Sequence, residues 1–455
     1  MPESIPKRIH FIGIGGTGMS ALANILLTLG YQVSGSDLMA THVTQKLEAL
    51  GGKCYLGHNK KNVRDAQLVV ISSAINSTNP ELVLAREKEI PVIHRAELLA
   101  WLMSRQKGIA VAGAHGKTTT TSMLALVLEK SGLDPTIIIG GELNDIGGNA
   151  KLGRGEYVVA ESDESDGSFL KLRPLATIVT NIEDDHLDYY GSVENIKTAF
   201  KTFLERIPTH GKAVVCLDNP HLRDITGNLT TPLITYGLNS QAEYALKEIF
   251  LNGQHARGKV YYRNQHLGTL ALFVPGQHNL LNALAVVALA RWLGLGFEQV
   301  AWALKDFRGV GRRFQFIGEA RGVQIFDDYA HHPTEIKATL QAARTLNPRR
   351  IVAVFQPHRY TRTALLKEYF RDAFEDADLI VMTEIYSAGE DPIQGITTQL
   401  IIDAVEKYNN RRVSYCPTLE ETIPCLLKIV EPGDLVLTLG AGNIWKVGKD
   451  LLVRL

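Results

Sequence analysis

Gly113-Ala114-His115-Gly116-Lys117-Thr118-Thr119 combines a glycine turn, a cation and hydroxyls at the spacing that phosphate chemistry requires. The apolar run Gly108–Ala112 precedes it and a helical pattern, Met123–Leu133, follows, so the order reads strand, loop, helix. Backbone N–H groups at such a helix start point at phosphate oxygens, and the helix dipole favours their charge. In this geometry Lys117 reaches the β- and γ-phosphates of a nucleotide, and the Thr118 hydroxyl sits on Mg²⁺. The loop is a shortened Gly-x-x-Gly-Lys-Thr, with Val111 where the longer pattern has its first glycine.

A second glycine loop lies earlier. Gly13-Ile14-Gly15-Gly16-Thr17-Gly18 follows a strand pattern, Ile9–Ile14, and precedes a helical one, Met19–Leu29. Asp37 ends the next strand pattern, Gln32–Ser36. This is the dinucleotide-binding fingerprint in its usual context. Its physics is broader, because glycines admit any diphosphate and an acid after the second strand bonds any ribose. Ser72 and Ser73 close another strand on the edge where ligands sit in open α/β sheets; helix capping is their alternative use.

Acids and bases recur at other strand ends. Glu161-Ser162-Asp163-Glu164-Ser165-Asp166 follows Tyr157–Ala160, and Glu161, first after the strand, suits Mg²⁺. His186 lies in Asn181–Asp188, after Thr177–Thr180, as a metal ligand or a phosphate contact. His278, Asn279 and Asn282 open a long helical pattern, His278–Leu293, where they either cap the helix or hold an adenine edge and a phosphate. One of Arg312 and Arg313 suits a transferring phosphoryl group. Asp327–Glu335 again reads as strand then helix start. Arg359 and Arg362, three apart, converge on a carboxylate or phosphate if their segment is helical.

The elements that must position these residues alternate between strand-like and helix-like along 455 residues, which predicts an α/β protein with parallel sheets. Three blocks separate: 1–107, 108–313 and 314–455. The last carries strand patterns at Ile351–Phe355, Leu379–Thr383 and Leu435–Leu439 and helical ones at Thr334–Thr345 and Leu365–Phe374. Hydrophobic residues make up 45% and charged residues 21%, and Lys+Arg balance Asp+Glu at 48 each, so no bulk charge draws nucleic acid or anionic membrane. No apolar run approaches the ~18 residues of a membrane span. The four cysteines (Cys54, Cys216, Cys416, Cys425) form no CxxC pair, and with the absence of a signal-peptide pattern they predict free thiols in the cytoplasm.

Taken together the motifs resemble the Mur ligases, ATP-dependent amide-forming enzymes of bacterial peptidoglycan synthesis. The resemblance spans the chain, from IHFIGIGGTGMSALA through VSGSD, SSAI, AGAHGKTTTT, ESDESDGSF, NIEDDHLD, GQHNLLNALA, GVGRRFQ, DDYAHHPTE and FQPHRYTRT to LTLGAG. It implies a Rossmann-like first domain that binds a UDP-sugar rather than NAD. A central phosphate-loop ATPase domain with a mostly parallel sheet would follow, then a Rossmann-like third domain contacting ATP and an amino acid. The implied reaction joins L-alanine to the carboxylate of UDP-N-acetylmuramate through an acyl phosphate, with ATP and Mg²⁺. By the same resemblance Gly15, Gly16, Thr17 and Gly18 cradle the UDP diphosphate. Lys117 holds the ATP phosphates, Thr118 and Glu161 one Mg²⁺, and His186 a second. His278, Asn279 and Asn282 contact the nucleotide, Arg313 the transferring phosphate and Asp328 the ATP ribose. Tyr329, Arg359 and Arg362 surround the amino-acid carboxylate. His331 and His332 are candidates for accepting the amine proton. Ala114 departs from the family, which usually has Thr there. The expected state is a monomer or weak homodimer. Competing readings are a recycling ligase of the same family that attaches a murein peptide, an NAD-dependent oxidoreductase, and a non-catalytic nucleotide sensor.

Overall fold

The first sheet arises because short apolar strands alternate with helices that cover both faces. A computed structural model describes residues 5–143, 148–227, 229–409 and 412–455. Its first elements are β1 (Arg8–Ile12), α1 (Thr17–Thr28), β2 (Gln32–Asp37), α2 (His42–Ala49), β3 (Lys53–Leu56), β4 (Leu68–Ile71), α3 (Pro80–Glu87), β5 (Val92–His94) and α4 (Arg95–Met103). The strands pair in parallel in the order β3-β2-β1-β4-β5. The order reverses at β1, so a crevice opens at the carboxyl ends of β1 and β4. The glycine loop after β1 lies there.

The next elements are β6 (Lys107–Ala112), α5 (Lys117–Lys130), β7 (Thr136–Leu143), β8 (Gly148–Lys151), β9 (Tyr157–Glu161), β10 (Ala176–Val179), α6 (Leu187–Tyr190), α7 (Val193–Leu204), β11 (Lys212–Cys216), α8 (Pro220–Thr226) and β12 (Leu233–Gly237). The seven strands run β12-β11-β10-β6-β9-β7-β8, and among the described residues β7 pairs antiparallel with β8 while the other neighbours pair in parallel. The strand β6 is flanked by β9 and β10, with Val111 level with Glu161 and Ala112 level with Val179. That register brings the ends of three strands to the loop 113–116.

A meander follows: β13 (Tyr244–Asn252), β14 (His255–Tyr262) and β15 (Gln265–Leu272), then α9 (Gln277–Trp292) and α10 (Phe297–Leu304). The β14–β15 turn has positive φ at both Arg263 and Asn264, as a two-residue hairpin turn requires. The last block holds β16 (Gln315–Ala320), β17 (Val323–Asp328), α11 (Pro333–Arg344), β18 (Arg350–Phe355), α12 (Tyr360–Leu366), β19 (Leu379–Met382), α13 (Gln399–Asn409), β20 (Val413–Tyr415), α14 (Leu419–Ile429), β21 (Asp434–Leu439) and α15 (Trp445–Arg454). Its sheet runs β16-β17-β21-β18-β19-β20, parallel except for β16. Successive strand residues enter opposite cores: Ile351, Ala353 and Phe355 on one face, Val352 and Val354 on the other.

The chain packs as two compact units. One comprises Met1–Glu183, Glu194–Tyr244 and Ala285–Ala303; the other comprises Asp184–Val193, Ala245–Leu284 and Leu304–Leu455. Among the described residues no helix is long and apolar enough to cross a membrane. All four cysteines are free thiols.

Three element expectations shift. The strand expected to reach Ile14 stops at Ile12, because Gly13 turns the chain at φ +81°. The helix expected from Met123 starts at Lys117; residues Thr118–Leu128 are buried all round, so the buried hydroxyls of its first turns hide the apolar period. The helix expected over Leu365–Phe374 is instead α12 followed by a 3₁₀ turn, Lys367–Phe370. The apolar spacing there reflects Phe370 and Phe374 packing on Phe355, at 5.5 and 5.4 Å between ring centres.

Beneath the first sheet's carboxyl edge, Glu81 is fully buried. It accepts from Ser36 Oγ (2.5 Å), Asn59 N–H (3.0 Å) and Asn62 Nδ2 (2.7 Å), and lies 3.3 Å from His10 Nε2. Burial pushes its carboxyl up, but the hydrogen bonds from His10, Ser36, Asn59 and Asn62 win and hold it at about 2. A depressed carboxyl stabilises the fold above its unfolded pKa, and that stabilisation is lost as pH falls from about 4.5 towards 2. Glu81→Gln is therefore expected to unfold at lower urea than wild type at pH 7, by up to ~3 kcal/mol, with the gap narrowing at pH 3. An equal gap at both pH values would show that the carboxylate charge is not what holds this network.

Candidate active site

The loop 113–118 owes its shape to neighbours just after β10. Gly113 has φ +132°, and a Cβ there would lie 2.1 Å from Thr180 Oγ1. Asn181 takes two of the loop's donors: Ala114 N–H bonds its carbonyl (3.2 Å) and His115 N–H its Oδ1 (2.8 Å). Asn181 Nδ2 in turn donates to the His115 carbonyl (3.1 Å). Ala114 therefore needs no hydroxyl to be fixed in place. Gly116, at φ +82°, caps α5 without a side chain, so this helix start has no side-chain acceptor of its own. Thr119 is buried in the first turn.

Lys117 turns back over the loop. Its Nζ donates to the Gly113 carbonyl (2.6 Å), the Ala114 carbonyl (3.1 Å) and Glu164 Oε1 (2.6 Å). Burial opposes its charge, yet the carboxylates of Glu164 and Glu161 raise its pKa and keep it an ammonium. Glu164 is 2% exposed, and burial pushes its carboxyl up to about 7 in spite of Lys117. Thr118 Oγ1 donates to Glu161, 2.9 and 3.1 Å from its two oxygens. Glu161 is the last residue of β9 rather than the first beyond it, and its Oε2 also accepts the Gly140 N–H at 2.8 Å.

At the first loop, Asp37 Oδ2 accepts the Gly15 N–H at 2.9 Å, so this acid braces the loop itself. Gly16 precedes α1 with no side-chain cap bond. Ser72 and Ser73 cap no helix, since α3 is capped by Asn79. Ser73 Oγ instead bonds Asp166 and lies 3.1 Å from His94 Nε2. A cavity of about 520 Å³ brings the two loops together: Gly13, Gly16, Thr17, Gly18, Asp37 and Ser72 line it, as do Lys117 and Glu161.

The second compact unit carries the remaining candidates. Asp185 is almost fully buried; its Oδ1 accepts Arg362 Nη2 (3.1 Å) and the His186 N–H (2.9 Å), and its Oδ2 lies 3.4 Å from His186 Nε2. Burial works against the Asp185 carboxylate, but Arg362 and the neighbouring histidines hold its pKa well below the usual range. Arg359 does not share a helical face with Arg362: it precedes α12 at φ +69° and stays about 4 Å from Asp188 and Glu390. Of the arginine pair, Arg312 is committed to Asp327 (3.0 Å) and the carbonyls of Gly440 and Gly442. Arg313 lies over the Tyr329 ring, 5.2 Å from its centre, and 3.8 Å from Glu335. Asp328 accepts the backbone N–H groups of Phe314 and Ala330, both at 2.7 Å, and burial raises its carboxyl to about 6. Asn279 Nδ2 bonds the Pro275 carbonyl; Asn282, one turn on, is also buried, and His278 is exposed.

The proton-acceptor candidates fare poorly. Burial, then Arg362, lowers His331 to about 3, which makes it a weak base. His332 accepts the Thr334 N–H as the cap of α11. Sequence reasoning passed over Asn181, Glu164, Asp185 and Arg95. Asn181, Glu164 and Asp185 lie inside recognised motifs and Arg95 outside them, but each has a partner far away in the chain.

A phosphate loop facing a strand-end carboxylate, joined by a cavity to a second glycine loop, defines a nucleotide-dependent α/β enzyme class. Family models match the chain in three consecutive stretches: the Mur ligase family catalytic domain over 8–107, the Mur ligase middle domain over 111–290, and the Mur ligase glutamate ligase domain over 312–442. The UDP-N-acetylmuramate–L-alanine ligase of Pelotomaculum thermopropionicum is 60% identical over 99% of this chain and 98% of its own. Among solved structures, UDP-N-acetylmuramate-alanine ligase MurC from Thermotoga maritima is 32% identical with a TM-score of 0.83, covering 98% of each chain. A murein peptide ligase from Psychrobacter arcticus is 26% identical with a TM-score of 0.74, again over 98% of each. The chain belongs to the Mur ligase family and has its three-domain α/β architecture.

The Lys117–Glu164 pair yields a stability test. Breaking a buried ion pair from one side leaves an uncompensated charge, whereas removing both partners does not. Glu164→Met and Lys117→Met are each expected to lose ~2–4 kcal/mol in urea unfolding, and the double variant to lose less than the sum by at least ~1 kcal/mol. Strict additivity would mean the two groups are not coupled.

Proposed function

We propose that this protein is an ATP-dependent ligase that joins L-alanine to the carboxylate of UDP-N-acetylmuramate, giving UDP-N-acetylmuramoyl-L-alanine, ADP and phosphate. The observation that carries this reading is the cavity shared by the two glycine loops. A diphosphate held at Gly15–Gly18 would leave the other end of its ligand facing Lys117 and Glu161, where a γ-phosphate is handled. The full-length likeness to the Pelotomaculum ligase supports the choice of substrates. In this reading 1–107 binds the UDP-sugar, 108–313 binds ATP, and 314–455 contacts ATP and the amino acid; the three successive family matches support that division. A cytoplasmic location, where nucleotide precursors are made, fits the free thiols.

The muramate carboxylate attacks the γ-phosphate, ADP leaves, and an acyl phosphate forms. The alanine amine then attacks the carbonyl, and the tetrahedral intermediate expels phosphate. Lys117 would exchange its carbonyl and Glu164 contacts for phosphate oxygens, and Arg313 would face the phosphate in transfer. Asp328 would accept from the ATP ribose, with His278, Asn279 and Asn282 along the nucleotide. Tyr329, Arg359 and Arg362 would hold the alanine carboxylate. The Thr118 hydroxyl and both Glu161 oxygens form an all-oxygen donor set that suits Mg²⁺. They would hold one ion, and His186 would serve a second. An ion held by these residues would supply positive charge to offset that of the phosphate.

ADP release with ATP, Mg²⁺ and UDP-N-acetylmuramate is expected to require L-alanine. Release with a murein tripeptide instead would support the recycling reading, which the likeness to the Psychrobacter ligase keeps in view. Nicotinamide reduction without ADP would overturn both. Lys117→Ala is expected to lower turnover by at least ~10³-fold while UDP-sugar binding persists; near-normal turnover would refute the phosphate-loop assignment.

A further inference from the structure

Arg95 belongs to neither glycine loop, yet it faces the first one. It opens α4 directly after β5, at the carboxyl edge of the first sheet. A Cβ built on Gly18 would lie 3.4 Å from Arg95 Nη1, so the guanidinium packs against the first turn of α1. Its Nη2 donates to Asp163 Oδ2 at 2.5 Å. Arg95 also lines the cavity shared by the two loops, and among the described residues the only other cation lining it is Lys117, which is committed to the second loop.

Arg95 brings to the first loop a cation that the loop itself lacks. The loop 13–18 offers backbone dipoles but no cation. One of its donors, Gly15 N–H, is taken by Asp37, whose carboxylate adds negative charge at the cavity wall. A diphosphate would meet repulsion there unless a cation offset it. A guanidinium fork matches phosphate oxygens two at a time.

We propose that Arg95 is a direct ligand of the diphosphate of a uridine nucleotide, and that Asp163 is the positioning residue that holds its guanidinium over Gly18. This rests on the reading of the first domain as the UDP-sugar site. Asp163 precedes Glu164, so two neighbouring carboxylates hold the two cations that two different phosphate ligands would engage.

The test is calorimetric binding of UDP, UMP, uridine and ADP to the full chain and its variants. Arg95→Ala is expected to weaken UDP about 10- to 100-fold, leave uridine unchanged and leave ADP unchanged, so the preference for UDP over uridine collapses. Arg95→Lys should recover part of the UDP affinity. Asp163→Asn should weaken UDP by a smaller factor and also spare uridine, and it carries the test if Arg95→Ala fails to fold. A parallel loss of UDP and uridine, or unchanged UDP binding in Arg95→Ala, would overturn the proposal. Wild-type protein that binds ADP but none of the uridine ligands would overturn the UDP-sugar reading itself, and the proposal with it.

Discussion

An ammonium cannot sit in a protein interior without oxygen ligands around it, and Lys117 meets that constraint in a way that organises its surroundings. Two of its partners are carbonyls of its own loop and the third is the carboxylate of Glu164. Those carbonyls point inward only because Gly113 has the conformation that lets the chain pass against Thr180. Glu164 arrives only because β9 lies beside β6. The parallel register of β6, β9 and β10 is thus the condition for the lysine, and the lysine is the condition for any phosphate chemistry here.

The same arrangement recurs in each sheet. Functional residues leave the carboxyl ends of parallel strands, where neighbouring loops meet without threading through the core. In the first sheet this sets Gly13–Gly18 beside Ser72 and Arg95. In the last, β17, β18 and β21 end level with one another, with Asp328 and Phe355 both opposite Leu439. Arg312 then ties the turn after β21 to β17 through Asp327 and two carbonyls. Its guanidinium also lies over the Tyr329 ring, as does that of its neighbour Arg313.

How much of this was legible in the sequence depended on how local the chemistry was. Gly113–Thr118 and Gly13–Gly18 could be read as strand-to-helix turns because such a turn needs glycines within a few positions. The alternation of strands and helices was legible for the same reason. The meander β13–β15 was missed although Asn252-Gly253 marks a hairpin turn before β14. Within the motifs, division of labour was not legible. Nothing local distinguishes Arg312 from Arg313, or shows that Asp37 braces Gly15 and Ser73 binds Asp166. Asn181, Glu164 and Arg95 act on partners 47 to 68 residues away, a distance that only the folded register closes.

The loop after β9 has a consequence for ligand exchange. Its carboxyl groups already bond the cations at both glycine loops, Asp163 to Arg95 and Glu164 to Lys117. An incoming phosphate therefore competes with Glu164 for Lys117, while at the first loop it meets an arginine that Asp163 already holds in place. Each carboxylate stays in the wall when phosphate arrives, so it offsets part of the attraction its cation offers. Association at these pockets should depend only weakly on ionic strength. A product that has lost a phosphate faces a carboxylate ready to reclaim its cation, so departure has a competitor built into the wall of the pocket.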